Sequence, residues 1–175
     1  MSYCLGLMIS VIIRIVCSDS QNTAKLLAET ILPLVTGVVQ GLVGRLIIVD
    51  TTGLKDIAAI AEEAGAMLVK AENWGKGLKE AVQSLRSDWV LLIDCGVIIE
   101  PTIWPCLERH LRVSKAICLS QPDWSYFKFW CRITSKIMMD QIVFMPRADI
   151  KNEVFGKRFG KDLISLSTRT TRLKL

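Results

Sequence analysis

The chain has a single histidine, His110, among 175 residues, and its six cysteines (Cys4, Cys17, Cys95, Cys106, Cys118, Cys131) form no C-x-x-C pair. Scattered thiols with almost no imidazole to join them argue against a Cys/His zinc site, and they do not space like a disulfide framework. A reducing, cytoplasmic compartment is the expectation. Long apolar runs are also missing. Hydrophobic residues make up 51% of the chain, more than is usual for a globular domain. Yet the stretch from Met8 to Ile13 is cut by Arg14, and that from Val43 to Val49 by Gly44 and Arg45. No segment reaches the roughly 18–20 apolar residues of a membrane helix, so the surplus is assigned to strands buried on both faces. The first eight residues lack a basic segment and a small-residue cleavage site, and no signal peptide is expected.

Acidic residues are fewer than basic ones, giving a net charge of +5. Much of that excess lies late, in Lys157, Arg158, Lys161, Arg169, Arg172 and Lys174. Such a cluster is either a solvated terminus or a surface for anionic headgroups and phosphates. The basic residues form no RNA-binding motif and are not interleaved with aromatics, so no nucleic acid partner is expected.

What is present is a repeated pattern: an apolar run of strand length that ends on a carboxylate. Trp89-Val90-Leu91-Leu92-Ile93 runs into Asp94, and Leu46-Ile47-Ile48-Val49 into Asp50. Open α/β sheets place their ligands at the carboxyl ends of such strands. The rest of the chain alternates accordingly. Strands are expected over 8–16, 46–49, 66–70, 89–93, 116–119, 141–145 and 163–168. Helices are expected over 23–35, 54–64, 73–85, 101–113, 124–138 and 147–153. This β-α-β-α order with short connections predicts a largely parallel sheet with helices on both faces. In the helix over 124–138, Trp124, Phe127, Trp130, Ile133 and Ile137 form an apolar stripe, a core or partner-facing surface rather than a membrane face.

Taken in order, Ile9-Ser10-Val11-Ile12-Ile13, Ile47-Ile48-Val49-Asp50, Ala61-Glu62-Glu63-Ala64-Gly65-Ala66, Gly75-Lys76-Gly77 and Asp88 to Asp94 resemble family 2 glycosyltransferases. Asp140-Gln141-Ile142-Val143-Phe144-Met145-Pro146-Arg147 is similar to the acceptor-side D-Q-G-x-x-x-P-R stretch of a bacterial branch of that family. The resemblance covers roughly residues 8–168. It implies a GT-A-like α/β fold, a three-layer α/β/α sandwich with a mainly parallel sheet. Residues 1–175 then form one domain, with a nucleotide-binding half over 8–113, a truncated acceptor half over 114–168 and a basic tail over 169–175.

The resemblance also implies roles for individual residues. The ligand would be a nucleotide-diphosphate sugar, UDP-linked, with Asp50 and Thr51 recognising the nucleotide. Gly75, Lys76 and Gly77 fall where a glycine-containing loop and a helix N-terminus approach ribose or phosphate. Asp94 matches the first acid of the D-x-D motif that holds Mg or Mn. Asp140 is the candidate general base, with Asp149, Glu153 and Asp162 the other carboxylates nearby.

The chain also departs from the family pattern. Arg14-Ile15-Val16 continues the first strand where a proline and a polar stretch are usual, Lys55 replaces the second acid after Asp50, and Gly96 replaces the last acid of D-x-D. The acceptor-side acid pair is missing, and longer relatives carry a further membrane-associating region. Two functions follow. One is transfer of a sugar to an envelope polysaccharide or glycolipid, in the cytoplasm or at the inner face of the membrane. The other is a lapsed homologue acting as a nucleotide-binding scaffold. The local alternatives are a side-chain cap on the turn for Asp50, a turn for Asp94–Gly96, and a solvated helix-start lysine for Lys76.

Overall fold

In the computed structural model the structure describes residues 8–15, 20–111, 117–120, 142–148, 150, 164–167 and 170–172. The first strand, β1 (Ile9–Arg14), is buried along its length except at Arg14. Helix α1 (Ser20–Ile31) follows, then α2 (Leu34–Val39), β2 (Val43–Asp50), α3 (Lys55–Glu63) and β3 (Met67–Lys70). The single helix expected over 23–35 is therefore two. Pro33, which has no N–H to donate and disfavours helix in the residue before it, ends α1 and stands at the N-cap of α2. Strand β2 starts earlier than the sequence suggests, because Val43 to Arg45 pair with Ile9 and Ser10 despite Gly44.

Helix α4 (Trp74–Ser84) is opened by Asn73, whose side chain accepts the Lys76 N–H at 3.0 Å. It leads into β4 (Trp89–Asp94), in which every residue is buried. A short strand β5 (Val97–Ile99), helix α5 (Ile103–His110) and strands β6 (Ile117–Ser120), β7 (Ile142–Pro146), β8 (Ile164–Ser167) and β9 (Thr170–Arg172) complete the described elements.

Seven strands form one sheet in the order β3-β2-β1-β4-β7-β6-β8. Strands β3, β2, β1 and β4 are mutually parallel. Strand β7 pairs antiparallel with both β4 and β6, and β6 pairs parallel with β8. The sheet is thus mainly parallel with β7 reversed, as the α/β expectation required. Beside it, β5 and β9 make a separate antiparallel ribbon. Neither ribbon strand was expected: the stretch holding Thr170–Arg172 reads as a basic tail, yet it pairs residue for residue with Val97–Ile99.

Both faces of the sheet are covered. On one face Val11, Ile13, Ile48, Leu91 and Ile93 pack with Leu27, Leu34, Ile57 and Ala61 of α1–α3 and with Ile103, Trp104 and Leu107 of α5. On the other, Ile12, Ile47, Val49, Val90 and Leu92 pack with Leu78, Ala81 and Val82 of α4. This double burial explains why β1, β2 and β4 read as continuous apolar runs instead of alternating ones. Each such aliphatic side chain contributes about 1.5–3 kcal/mol on burial, which sets the register firmly and fixes what stands at the strand ends. No helix of the described residues is long and apolar enough to cross a membrane.

Candidate functional site

The chain leaves β1 to build β2 and β3 on one side, then crosses back to lay β4 on the other. The carboxyl edge between β1 and β4 is therefore the point where strand order reverses, the usual ligand crevice of an open α/β sheet. Register brings the residues there into line. Arg14 lies between Val49 of β2 and Asp94 of β4, and the Cys95 N–H donates to the Arg14 carbonyl at 2.9 Å. Asp50 and Asp94 end strands two places apart, a separation of about 10 Å at ordinary strand spacing.

Asp50 is buried, with 2% of its surface exposed. Its Oδ1 accepts the Thr52 N–H at 2.7 Å, the Thr52 hydroxyl at 2.7 Å and the Gly53 N–H at 3.2 Å. One oxygen therefore organises the turn, as the capping alternative held, and Gly53 at φ +72° supplies the left-handed residue this turn requires. The other oxygen, Oδ2, is buried and has no hydrogen-bond partner among the described residues. An orphaned buried acceptor costs on the order of 1–3 kcal/mol. Thr51, the neighbouring candidate, is half-buried in the same turn. Thr52, which makes two of the three bonds to Asp50, escaped the sequence reading.

Asp94 is in a different state. It is 3% exposed, and both of its oxygens accept from one guanidinium: Arg14 Nε to Oδ1 at 2.7 Å and Arg14 Nη2 to Oδ2 at 2.8 Å. This fork-on-fork geometry is the strong form of the ion pair. The indole of Trp74, first residue of α4, lies under the same guanidinium at 5.5 Å from ring centroid to Cζ. Alternation along β1 and β4 puts Arg14 and Asp94 on the sheet face that α4 covers, with Ile12, Val90 and Leu92. Sequence reasoning noticed Arg14 only as an irregularity. The available signal was a charge closing a β-branched strand: a half-buried arginine calls for a carboxylate, and Asp94 closes the strand next to it.

Gly96 stands at φ +93°, where L side chains are strained, and its N–H donates to the buried Thr30 hydroxyl at 2.8 Å. Thr30 in turn donates to the Leu26 carbonyl at 2.7 Å, tying the β4–β5 turn to α1. The glycine that replaces the second acid of D-x-D is thus a requirement of this turn.

The loop candidates separate. Gly77 is buried in α4, where a Cβ would fall 2.4 Å from Val49 Cγ1 and 3.0 Å from Ala71 Cβ, so close helix–sheet packing demands it. Gly75 has only Asn73 Oδ1, at 3.5 Å, near the place of a Cβ, which leaves room beside the first turn of α4. Lys76 is exposed and forms a surface pair with Glu72. Asp140 and the acids Asp149, Glu153 and Asp162 lie outside the described residues, as do the helix expected over 124–138 and residues 157, 158, 161, 169 and 174 of the basic cluster. Arg147, of the acceptor-side motif, reaches the far edge of the sheet: its N–H donates to the Asp88 carbonyl at 2.7 Å and its Nη1 to the Leu85 carbonyl at 2.5 Å.

A divalent cation would find few ligands here. Among the described residues no group of three or more His, Cys, Asp or Glu side chains is placed to hold one. Asp94 is the carboxylate that the sequence resemblance sets at the D-x-D position, and Arg14 already spans both of its oxygens. A Mg or Mn ion would take Asp94 only by displacing that guanidinium, with its remaining ligands coming from substrate.

No family model and no curated protein matches the chain in sequence. Solved structures do match in fold. Glucosyl-3-phosphoglycerate synthase from Mycobacterium tuberculosis, in complex with Mn2+, UDP and glucosyl-3-phosphoglycerate, aligns at 20% identity and TM-score 0.55, over 82% of this chain and 58% of that one. S. aureus TarS aligns at 14% identity and TM-score 0.64, over 93% of this chain and 58% of that one. Mannosyl-3-phosphoglycerate synthase from Rubrobacter xylanophilus aligns at 18% identity and TM-score 0.56, over 82% and 55%. The chain has the GT-A fold of these glycosyltransferases, and it spans under three-fifths of their length.

Proposed function

We propose that the strand-end crevice binds a nucleotide-diphosphate sugar, UDP-linked, and that the chain serves transfer of the sugar to an acceptor. The observation that carries this reading is the buried, unpartnered Oδ2 of Asp50 at the carboxyl edge of a GT-A sheet. A carboxylate oxygen accepts only, so the partner it calls for is an N–H or O–H group, such as the imide N–H of uracil or a ribose hydroxyl. Structures of this fold solved with UDP and Mn2+ or Mg2+ support the choice of ligand.

Within the crevice, Asp50 and the turn through Thr51 hold the nucleoside, while Gly75 and Lys76 at the start of α4 flank the diphosphate. Where a divalent cation takes part, Asp94 would hold it together with diphosphate oxygens, and the ion would offset the charge of the leaving nucleotide. On the acceptor side we carry Asp140 forward as the general base. An envelope polysaccharide or glycolipid, met on the cytoplasmic side of a membrane, is the acceptor class inferred from the family resemblance.

The test is calorimetric titration of the purified chain with UDP and GDP, then the same titration of Asp50→Asn. UDP binding that falls at least tenfold in the variant, a loss typical of one charge-assisted bond, is the expected result. Equal binding by variant and parent, or no binding of either nucleotide, overturns the reading and leaves the fold without donor chemistry.

A further inference from the structure

We propose that Arg14 takes the divalent cation's place at Asp94, so that the crevice binds a nucleoside diphosphate through a fixed guanidinium with no requirement for Mg or Mn. The inference rests on the crevice being the nucleotide site and names what meets the diphosphate there.

Three observations converge on it. The carboxylate at the D-x-D position is fully engaged, each oxygen accepting one N–H of Arg14 at 2.7 and 2.8 Å. The position that would carry a second acid is Gly96, held at φ +93° by the turn itself. The guanidinium is fixed from two sides, by the carboxylate fork and by the Trp74 ring at 5.5 Å, and its side chain keeps 18% of its surface exposed at the crevice edge. An arginine so constrained loses little further entropy when a phosphate arrives, and its planar fork suits phosphate oxygens as well as it suits carboxylate.

Electrostatics favours the guanidinium over an ion at this place. A metal must be stripped of water, displace a bidentate partner from a buried carboxylate, and accept a single protein ligand among the described residues. Arg14 is covalently part of β1 and has already met those costs on folding. The Arg14–Asp94 pair is neutral as a unit, so the diphosphate binds by sharing the guanidinium with Asp94. Weakening Asp94 therefore strengthens the hold on phosphate. That is the reverse of what a metal site predicts, because removing a metal's carboxylate ligand weakens it.

The test titrates the full chain with inorganic pyrophosphate and with UDP, each in EDTA and in Mn2+. For the parent, the two conditions are expected to agree within about threefold, less than the tenfold that 1.4 kcal/mol represents. Arg14→Gln is expected to lose about tenfold or more in EDTA, as for one charge-assisted hydrogen bond, and to recover in Mn2+ because the ion can then take the place of the guanidinium at Asp94. Uptake of Mn2+ by that variant and not by the parent, read from the Mn2+ electron paramagnetic resonance signal, reports the exchange without any nucleotide. Asp94→Asn is expected to bind pyrophosphate in EDTA at least as tightly as the parent; since it keeps Arg14, it decides the matter if Arg14→Gln fails to fold.

Pyrophosphate binding by the parent only in Mn2+, or its loss in Asp94→Asn, overturns the inference. UDP binding that depends on Asp50 and ignores Arg14 overturns it too, and leaves the nucleotide reading intact. Arg14-dependent pyrophosphate binding, with UDP binding no tighter, upholds Arg14 and removes the nucleotide reading. Failure of both ligands to bind removes both.

Discussion

The turns after β2 and β4 begin from the same local signal, a buried apolar strand that ends on an aspartate with a left-handed glycine soon after. At the β2 end Asp50 spends one oxygen on its own turn, through Thr52 and Gly53, and keeps the other buried and unpartnered. At the β4 end Asp94 spends both oxygens on Arg14 of the neighbouring strand. The difference teaches that a strand-end carboxylate is a place, not a role. Among the described residues one of these acids keeps an oxygen without a donor, while the other is paired with a cation from the fold itself.

The comparison breaks most sharply on stability. Arg14→Gln takes the bidentate guanidinium away from the buried Asp94, and it is expected to cost about 3 kcal/mol, the low end for breaking a buried pair since Arg14 keeps a solvent-facing edge. Asp50→Asn leaves the Oδ1 turn bonds possible and is expected to cost less than about 1 kcal/mol. Urea denaturation of the two variants side by side measures the contrast; equal losses would mean that the two ends are equivalent after all.

Next in size are the two glycines. Gly96→Ala, at φ +93°, is expected to cost about 1–2 kcal/mol, and Gly53→Ala, at φ +72° with open space around its Cβ, about 1 kcal/mol. Gly96→Asp carries the same strain as Gly96→Ala, so restoring the D-x-D spacing is expected to lower the melting temperature without giving the parent chain a Mn2+ response. A gain in Mn2+ affinity on that substitution would show that the pairing with Arg14 yields to a second acid.

The last variant is at Thr52. Thr52→Val removes the hydroxyl bond to Asp50 and keeps the backbone one, for a loss of about 0.5–1.5 kcal/mol. By freeing part of Oδ1 it also tests whether the turn positions Asp50 for its ligand. A UDP affinity that falls severalfold in the still-folded variant would sharpen the assignment of this turn to the donor site.

Much of the fold was legible in the chain. The runs Ile47–Val49 and Val90–Ile93 announced doubly covered strands, because apolar residues without alternation have no solvent face to show. The same runs located both acids, since a carboxylate that ends such a strand must leave the core at a sheet edge. Other features were legible only in part. Pro33 is a helix breaker that the expectation of one helix over 23–35 passed over, because the apolar spacing around it joins α1 and α2 into one pattern. Strands β5 and β9 were missed because each is three residues long and finds its partner at the far end of the chain. Gly77 resembled a phosphate-loop glycine, and only the approach of Val49 shows that packing against β2 requires it.

By itself the sequence determined the α/β alternation, the doubly buried strands, the two acids at their ends and the glycines that turn the chain after them. These follow from hydrophobic periodicity and from side-chain chemistry, both local along the chain. What each acid does was decided by the tertiary structure. Sheet order lays β1 against β4, which brings Arg14 to Asp94 across 80 positions of sequence and satisfies it. The same order sets Asp50 between β1 and β3, and no described residue extends a donor to its second oxygen. A carboxylate's partner is a matter of what lies within about 3 Å, and proximity at that scale is set by the packing of the sheet.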